Sequence, residues 1–279
     1  MTSSSSMKQR IMTALPLALL VAGLLWWAPR WLFLTALIVA VEISLYEYHQ
    51  ISRSAGFHGV SAVGYLAAAA LCLAQIASPS RVAELYVVIL LVLVFTAMVT
   101  ALYQGTTLRD YLGSAASTVL GVLYLGFTLS WLMGLRFSPN HEGRTLTVFL
   151  FVVVVTGDIF ALFIGRLIGR TPLVPRISPN KTVEGALGGL AGSLLVAYLF
   201  WLFYGQTGEL KTVMLLATIM AVAGQVGDLV ESALKRSAGI KDSGGLLPGH
   251  GGLLDRIDSL VFAVPALCLA LALQRSLNW

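Results

Sequence analysis

The chain is 279 residues long, 57% of them hydrophobic and only 11% charged, with a mean hydropathy of +0.85. Soluble domains carry about 25% charged residues, so this composition excludes an ordinary soluble globular protein and makes the bilayer the solvent of the fold. The net charge of +5 follows mainly from where the loops lie and gives no reason to invoke nucleic acid.

Apolar runs of membrane-spanning length are expected near 11–28, 31–46, 60–78, 85–103, 114–135, 146–168, 185–204, 212–234 and 256–274. They predict an all-α, polytopic integral membrane protein with about nine transmembrane helices. The first run follows Lys8 and Arg10 as a secretory signal would, but no small-residue cleavage site comes after it and WWAPRW leads straight into the next span. It is therefore expected to be retained. With nine spans, 12 of the 18 basic residues fall on the side of the N-terminus and 6 on the other, which predicts a cytoplasmic N-terminus. The loops 169–184 and 235–255 then share the inner face. Cys72 and Cys268 both sit inside apolar runs and support neither a disulfide framework nor a metal-cysteine site.

Residues 1–145 read as plain spans, a scaffold for lipid entry and dimer contacts, while 146–279 carry nearly all the charge at membrane level and form the expected catalytic part. No internal repeat of the kind found in many transporters is visible. The sixth run and its sequel, VTGDIFALFIGRLIGRTPLVPRISPNKTVEG, place Asp158 inside the span and Arg166 and Arg170 one turn apart at its end. Ser178 to Glu184 then form a polar turn opening onto Gly185, Gly188, Gly189 and Gly192, which allow close helix packing. Single arginines at such a place are more often interfacial snorkels. Lys181, in a tight proline turn, is the stronger functional candidate.

The eighth run ends TIMAVAGQVGDLVESALKR, where helical spacing puts Asp228, Glu231 or Ser232, and Lys235 on one stripe. The ninth begins LLDRIDSLVF, with Asp255 and Asp258 on one face and Arg256 pointing elsewhere. Facing acids of this kind repel one another unless a hard cation such as magnesium fills the space between them; the competing reading pairs them with Lys235, Lys241 and Arg256 as structural salt bridges. Acids at membrane depth are functional by default, which favours the cation. On that reading, Asp228→Asn and Asp255→Asn should both abolish turnover and leave folding nearly intact. Between the two runs lies SAGIKDSGGLLPGHGG, too rich in glycine to be a stable helix and able to bring backbone N–H groups close to phosphates. Lys235, Arg236, Lys241 and Arg256 flank it, the means by which a triphosphate is usually neutralised. His250 has three open roles: bonding a phosphate, donating to a leaving group, or pinning the loop.

From Ser232 to Asp258 the chain resembles the phosphatidate cytidylyltransferases, also called CDP-diacylglycerol synthases, with Ser232, Lys235, Arg236, Lys241, Asp242, Pro248, His250, Gly251, Gly252, Asp255, Arg256 and Asp258 all in place. The turn from Ser178 to Gly185 resembles a second block of that family, although Val183 stands where a tryptophan is expected. The resemblance covers the C-terminal half. It implies transfer of the cytidylyl group of CTP to phosphatidate, giving CDP-diacylglycerol and pyrophosphate. It further implies magnesium held by Asp228 and Asp255 with Asp258, a second, monovalent cation, substrate contacts from Ser178, Lys181, Ser232, Asp242, His250, Gly251 and Gly252, and a homodimer. The expected location is a bacterial inner membrane with the site on its cytoplasmic face. Two alternatives stand beside it: a related CTP-dependent cytidylyltransferase or kinase acting on an isoprenoid lipid, and a secondary transporter of an anionic solute.

Overall fold

The computed structural model describes residues 16, 18–103, 108–138, 142–204, 209–246 and 251–277, with Arg109 and Leu277 as backbone alone. Among these residues the fold is helical apart from one short hairpin. In chain order the helices are α1 (Ala18–Trp27), α2 (Arg30–Ser54), α3 (Ser61–Ala74), α4 (Pro79–Tyr103), α5 (Leu108–Gly121), α6 (Thr128–Arg136), α7 (Glu142–Ile168), α8 (Val183–Phe203), α9 (Leu210–Ser237) and α10 (Leu254–Leu277). A π-helical turn, Val122–Phe127, joins α5 to α6 into one continuous rod. Seven of the resulting rods are long and apolar enough to cross a membrane, while α1 and α3 are shorter apolar helices. The expected count of nine is thus approximate, and the protein is an all-α polytopic membrane protein.

Lipid offers no hydrogen bonds, so backbone and hydroxyl groups have to be satisfied within the protein. Helical geometry does this for the backbone. For the hydroxyls, Ser44, Thr96, Thr100, Thr128 and Thr218 each donate to the carbonyl four residues earlier.

The chain divides into two compact units, Met1–Phe137 with Leu234–Ile257, and Ser138–Ala233 with Asp258–Trp279. The first buries Val41, Leu45, Leu71, Val122, Leu125 and Met133. Its helices are tied by polar bonds worth having in a medium without water: Tyr48 Oη donates to Ser117 O at 3.2 Å, Gln75 Nε2 to Tyr86 Oη at 2.6 Å, and Tyr86 meets Ser130 at 2.7 Å. Arg136 is buried yet satisfied. Its Nε donates to Leu25 O at 2.6 Å and its Nη2 to Trp26 O at 3.2 Å, at the C-terminal end of α1 where a cation is favoured.

In the second unit α7 and α8 pack closely because α8 carries glycines on the contact face. A Cβ at Gly188 would fall 2.6 Å from Ile164, and one at Gly157 would fall 2.5 Å from Ser193 Oγ, which itself donates to Val153 O at 3.0 Å. Between these helices the chain makes an antiparallel hairpin, β1 (Pro172–Val174) and β2 (Ser178–Thr182), pairing Pro172 with Thr182 and Val174 with Ser178. The segment read as a polar turn from sequence is therefore a strand up to Thr182. Thr182 then caps α8 by accepting Gly185 N at 3.1 Å. Glu184 fastens the residues just before the hairpin to that helix, accepting from Arg170 N at 3.1 Å and from Thr171 Oγ1 at 2.9 Å.

Candidate active site

Within the second unit, β2 carries Lys181 to α9, where its Nζ lies 2.7 Å from Asp228 Oδ1 and 3.3 Å from Ser232 Oγ. The stripe read from helical spacing on α9 thus has its cation from the hairpin. The pair is partly open, with side-chain exposures of 26% and 35%. It lines a cavity of about 610 Å3 that also presents Asp158, Arg166, Asn180 and Gln225. Ser178 begins the same strand and is half-buried. Asp258, in the first turns of α10, lies within electrostatic reach of Asp228, Glu231 and Asp158, and Ser259 Oγ donates to Asp158 Oδ2 at 3.1 Å. Close approach is built in here: a Cβ at Gly227 would fall 2.6 Å from Asp258 O.

Within the first unit the glycine-rich loop is held from its base. Helix α9 stops in a Schellman turn, Ile240 N to Lys235 O at 3.0 Å and Gly239 N to Arg236 O at 3.1 Å, with Gly239 at φ +69°. Lys235 Nζ, near the end of α9, lies 2.6 Å from Asp255 Oδ1 on α10, the side chains 12% and 8% exposed. Asp255 also accepts from Ser243 N at 3.1 Å and Gly252 N at 2.9 Å. Gly251 sits at φ +79°, and a Cβ there would fall 2.6 Å from Asp255 Oδ2, so both backbone and space require glycine. Arg236, Lys241, Asp242 and Arg256 are exposed, Arg236 donating to Ile240 O at 2.9 Å. Pro248 and His250 lie outside the described residues.

One acid of this unit was missed at the level of sequence. Glu47 on α2 is 3% exposed and accepts from Ser243 Oγ at 3.0 Å, Leu253 N at 2.9 Å and Leu254 N at 2.8 Å. Gly252 is compact for its sake, since a Cβ there would collide with Ser243 Oγ and Glu47 Oε2. Its signal was faint: Glu47 falls one residue past the apolar run read as 31–46, where an acid passes for the polar end of a span, and only the longer helix α2 places it at membrane depth.

Of the three acids expected to take a metal, Asp228 and Asp258 belong to one unit and Asp255 to the other. No group of three His, Cys, Asp or Glu able to hold a metal by itself forms among the described residues. Magnesium usually takes only one or two protein carboxylates and completes its shell with substrate phosphates and water. Asp228 and Asp258, both hard oxygen donors, fit that manner of binding.

A family model described as "Cytidylyltransferase family" matches residues 8–274. The chain belongs to the cytidylyltransferase family. It is 43% identical over 157 residues to a phosphatidate cytidylyltransferase of Staphylococcus saprophyticus, covering 56% of this chain and 59% of that one. Against the protein of the same name from Bacillus subtilis the figures are 40% over 185 residues, 66% of each chain, and against that of Brucella abortus 49% over 153 residues, 53% of this chain and 54% of the relative. The chain thus matches between about half and two thirds of the length of these relatives.

Proposed function

We propose that this protein is a membrane nucleotidyltransferase that moves the cytidylyl group of CTP onto phosphatidate, giving CDP-diacylglycerol and pyrophosphate. The observation that carries the reading is the Lys181–Asp228 pair on the wall of an open cavity, in a chain whose relatives bear the name phosphatidate cytidylyltransferase. Phosphatidate is a phosphate monoester whose second ionisation falls at about 6, so its oxygen is already nucleophilic at neutral pH. That oxygen bonds to the α-phosphorus of CTP as the bond to the bridging oxygen breaks and pyrophosphate leaves. The protein's task is to bring two anions together and relieve their repulsion.

In this scheme Lys181, with Ser178 and Ser232 nearby, meets the lipid phosphate. Arg236, Lys241 and Arg256, all exposed, neutralise the nucleotide phosphates and the departing pyrophosphate, while Lys235, expected to share that task, is held by Asp255 at the base of the loop; Asp242, His250, Gly251 and Gly252 belong to the loop that receives the phosphates. Asp228 and Asp258 would hold magnesium, which would supply positive charge to offset that of the nucleotide phosphates, and a monovalent cation would take a second place among the acids. Asp255, the third acid expected there, is already met by Lys235 and two loop N–H groups, so its charge is assigned to the loop. The acyl chains stay in the bilayer. The site opens to the cytoplasm of a bacterial inner membrane, as the 12 to 6 distribution of basic residues suggests, and the working form is a homodimer.

Purified protein in detergent, given radiolabelled CTP, magnesium and phosphatidate, should move label into the lipid phase, with release of pyrophosphate. Label that enters lipid only when an isoprenoid phosphate replaces phosphatidate would reassign the substrate. Absence of transfer to either lipid would remove the reading.

A further inference from the structure

We propose that Glu47 is the positioning residue that sets the glycine-rich loop for the CTP triphosphate; this rests on the function proposed above. The two described limbs of the loop meet on one buried carboxylate. Ser243, on its outgoing limb, donates its hydroxyl to Glu47 Oε2, while Leu253 and Leu254, at the start of α10, donate backbone N–H groups to Oε1 and Oε2. These two N–H groups belong to the first turn of α10, where no helical carbonyl can serve them, and a carboxylate there is also favoured by the helix dipole. Two glycines make room for it: a Cβ at Gly244 would fall 2.8 Å from Oε1, and Gly252 leaves no space for any side chain. Asp255 closes the same loop from the other side through Ser243 N and Gly252 N. The limb that Glu47 fixes, Ser243 to Leu246, forms one wall of a cavity of about 710 Å3 whose other walls include Glu42, Gln50 and Tyr65. All of these groups fall in one compact unit. Glu47 touches no phosphate itself. It acts through the loop, by holding the backbone that has to face the nucleotide.

Glu47→Gln keeps the shape but replaces one acceptor oxygen with an amide nitrogen, so that Leu253 N and Leu254 N can no longer both be accepted. The full-length variant should raise KM for CTP about 10- to 100-fold with KM for phosphatidate unchanged, and hydrogen exchange should quicken in the peptide 243–256 alone. Ser243→Ala, which removes one contact and leaves the carboxylate, should shift the same constant in the same direction by less. A fall in maximal rate with both KM values unchanged, or quickened exchange without any change in KM for CTP, would mean that Glu47 only stabilises the fold, and would overturn the assignment. Wild-type protein that transfers no label from CTP would overturn the function itself and this assignment with it, an outcome that the wild-type control separates from the others.

Discussion

The two compact units handle charge in opposite ways. In the unit that carries the glycine-rich loop, Glu47, Lys235 and Asp255 are nearly sealed from solvent and each is committed to a protein partner. In the unit of α7, α8 and the hairpin, Lys181 and Asp228 keep about a quarter and a third of their side-chain surface open on the wall of a cavity. A buried pair with saturated hydrogen bonds is costly to break because the partner left behind is an uncompensated charge, so the first set serves architecture. An open pair is worth little to stability and can exchange its partner for a substrate group. Stability and turnover should therefore respond differently to the loss of an acid in the two places.

The widest separation is expected between Asp228→Asn and Asp255→Asn. Asp228→Asn should lower turnover by about 100- to 1,000-fold with little change in thermal unfolding, as the sequence already suggested. Asp255→Asn should lower turnover too, but here the structure alters the expectation: with Lys235 Nζ at 2.6 Å, removing the carboxylate charge strands a buried ammonium and should destabilise the fold by about 3 kcal/mol or more. Equal melting temperatures for the two variants would erase the distinction. Next in size is Lys181→Met, which should raise KM for phosphatidate about 10- to 100-fold and leave the melting temperature nearly unchanged, measured in the same lipid-transfer assay.

A smaller effect is expected from the α7–α8 contact, where Gly188→Ala pushes a methyl against Ile164. Overpacking of this kind costs about 1–3 kcal/mol, so unfolding should come earlier while KM for either substrate stays put; a shifted KM would show that the contact reaches the site. The smallest sharpens topology alone. A cysteine at the exposed Ser237 should react with a membrane-impermeant thiol reagent only from the cytoplasmic side, and labelling from the opposite side would reverse the orientation.

Much of this was visible in the sequence, for reasons of range. The spans are read from runs of apolar residues, and the stripe of Asp228, Glu231 or Ser232, and Lys235 from helical periodicity, both local properties. The family resemblance needed only the contiguous stretch from Ser232 to Asp258. What escaped depends on distant partners. Lys181 and Asp228 each stood out, but nothing local joins a strand residue to a helix residue 47 positions later. Glu47 is the extreme case: its partners Leu253 and Leu254 are separated from it by 206 and 207 residues, and they offer only backbone N–H groups, which leave no trace in side-chain chemistry. The segment from Ser178 to Glu184, read as a polar turn, is a strand up to Thr182 because its backbone pairs with Pro172–Val174, a preference that Pro179 and Asn180 conceal.

The division of labour between the two units is tested most directly by measuring KM for CTP and KM for phosphatidate side by side in Glu47→Gln and Lys181→Met. A crossed pattern is expected, with Glu47→Gln raising only the constant for CTP and Lys181→Met only that for phosphatidate. If both variants raise the same constant, or lower only the maximal rate, the loop and the open cavity do not serve separate substrates.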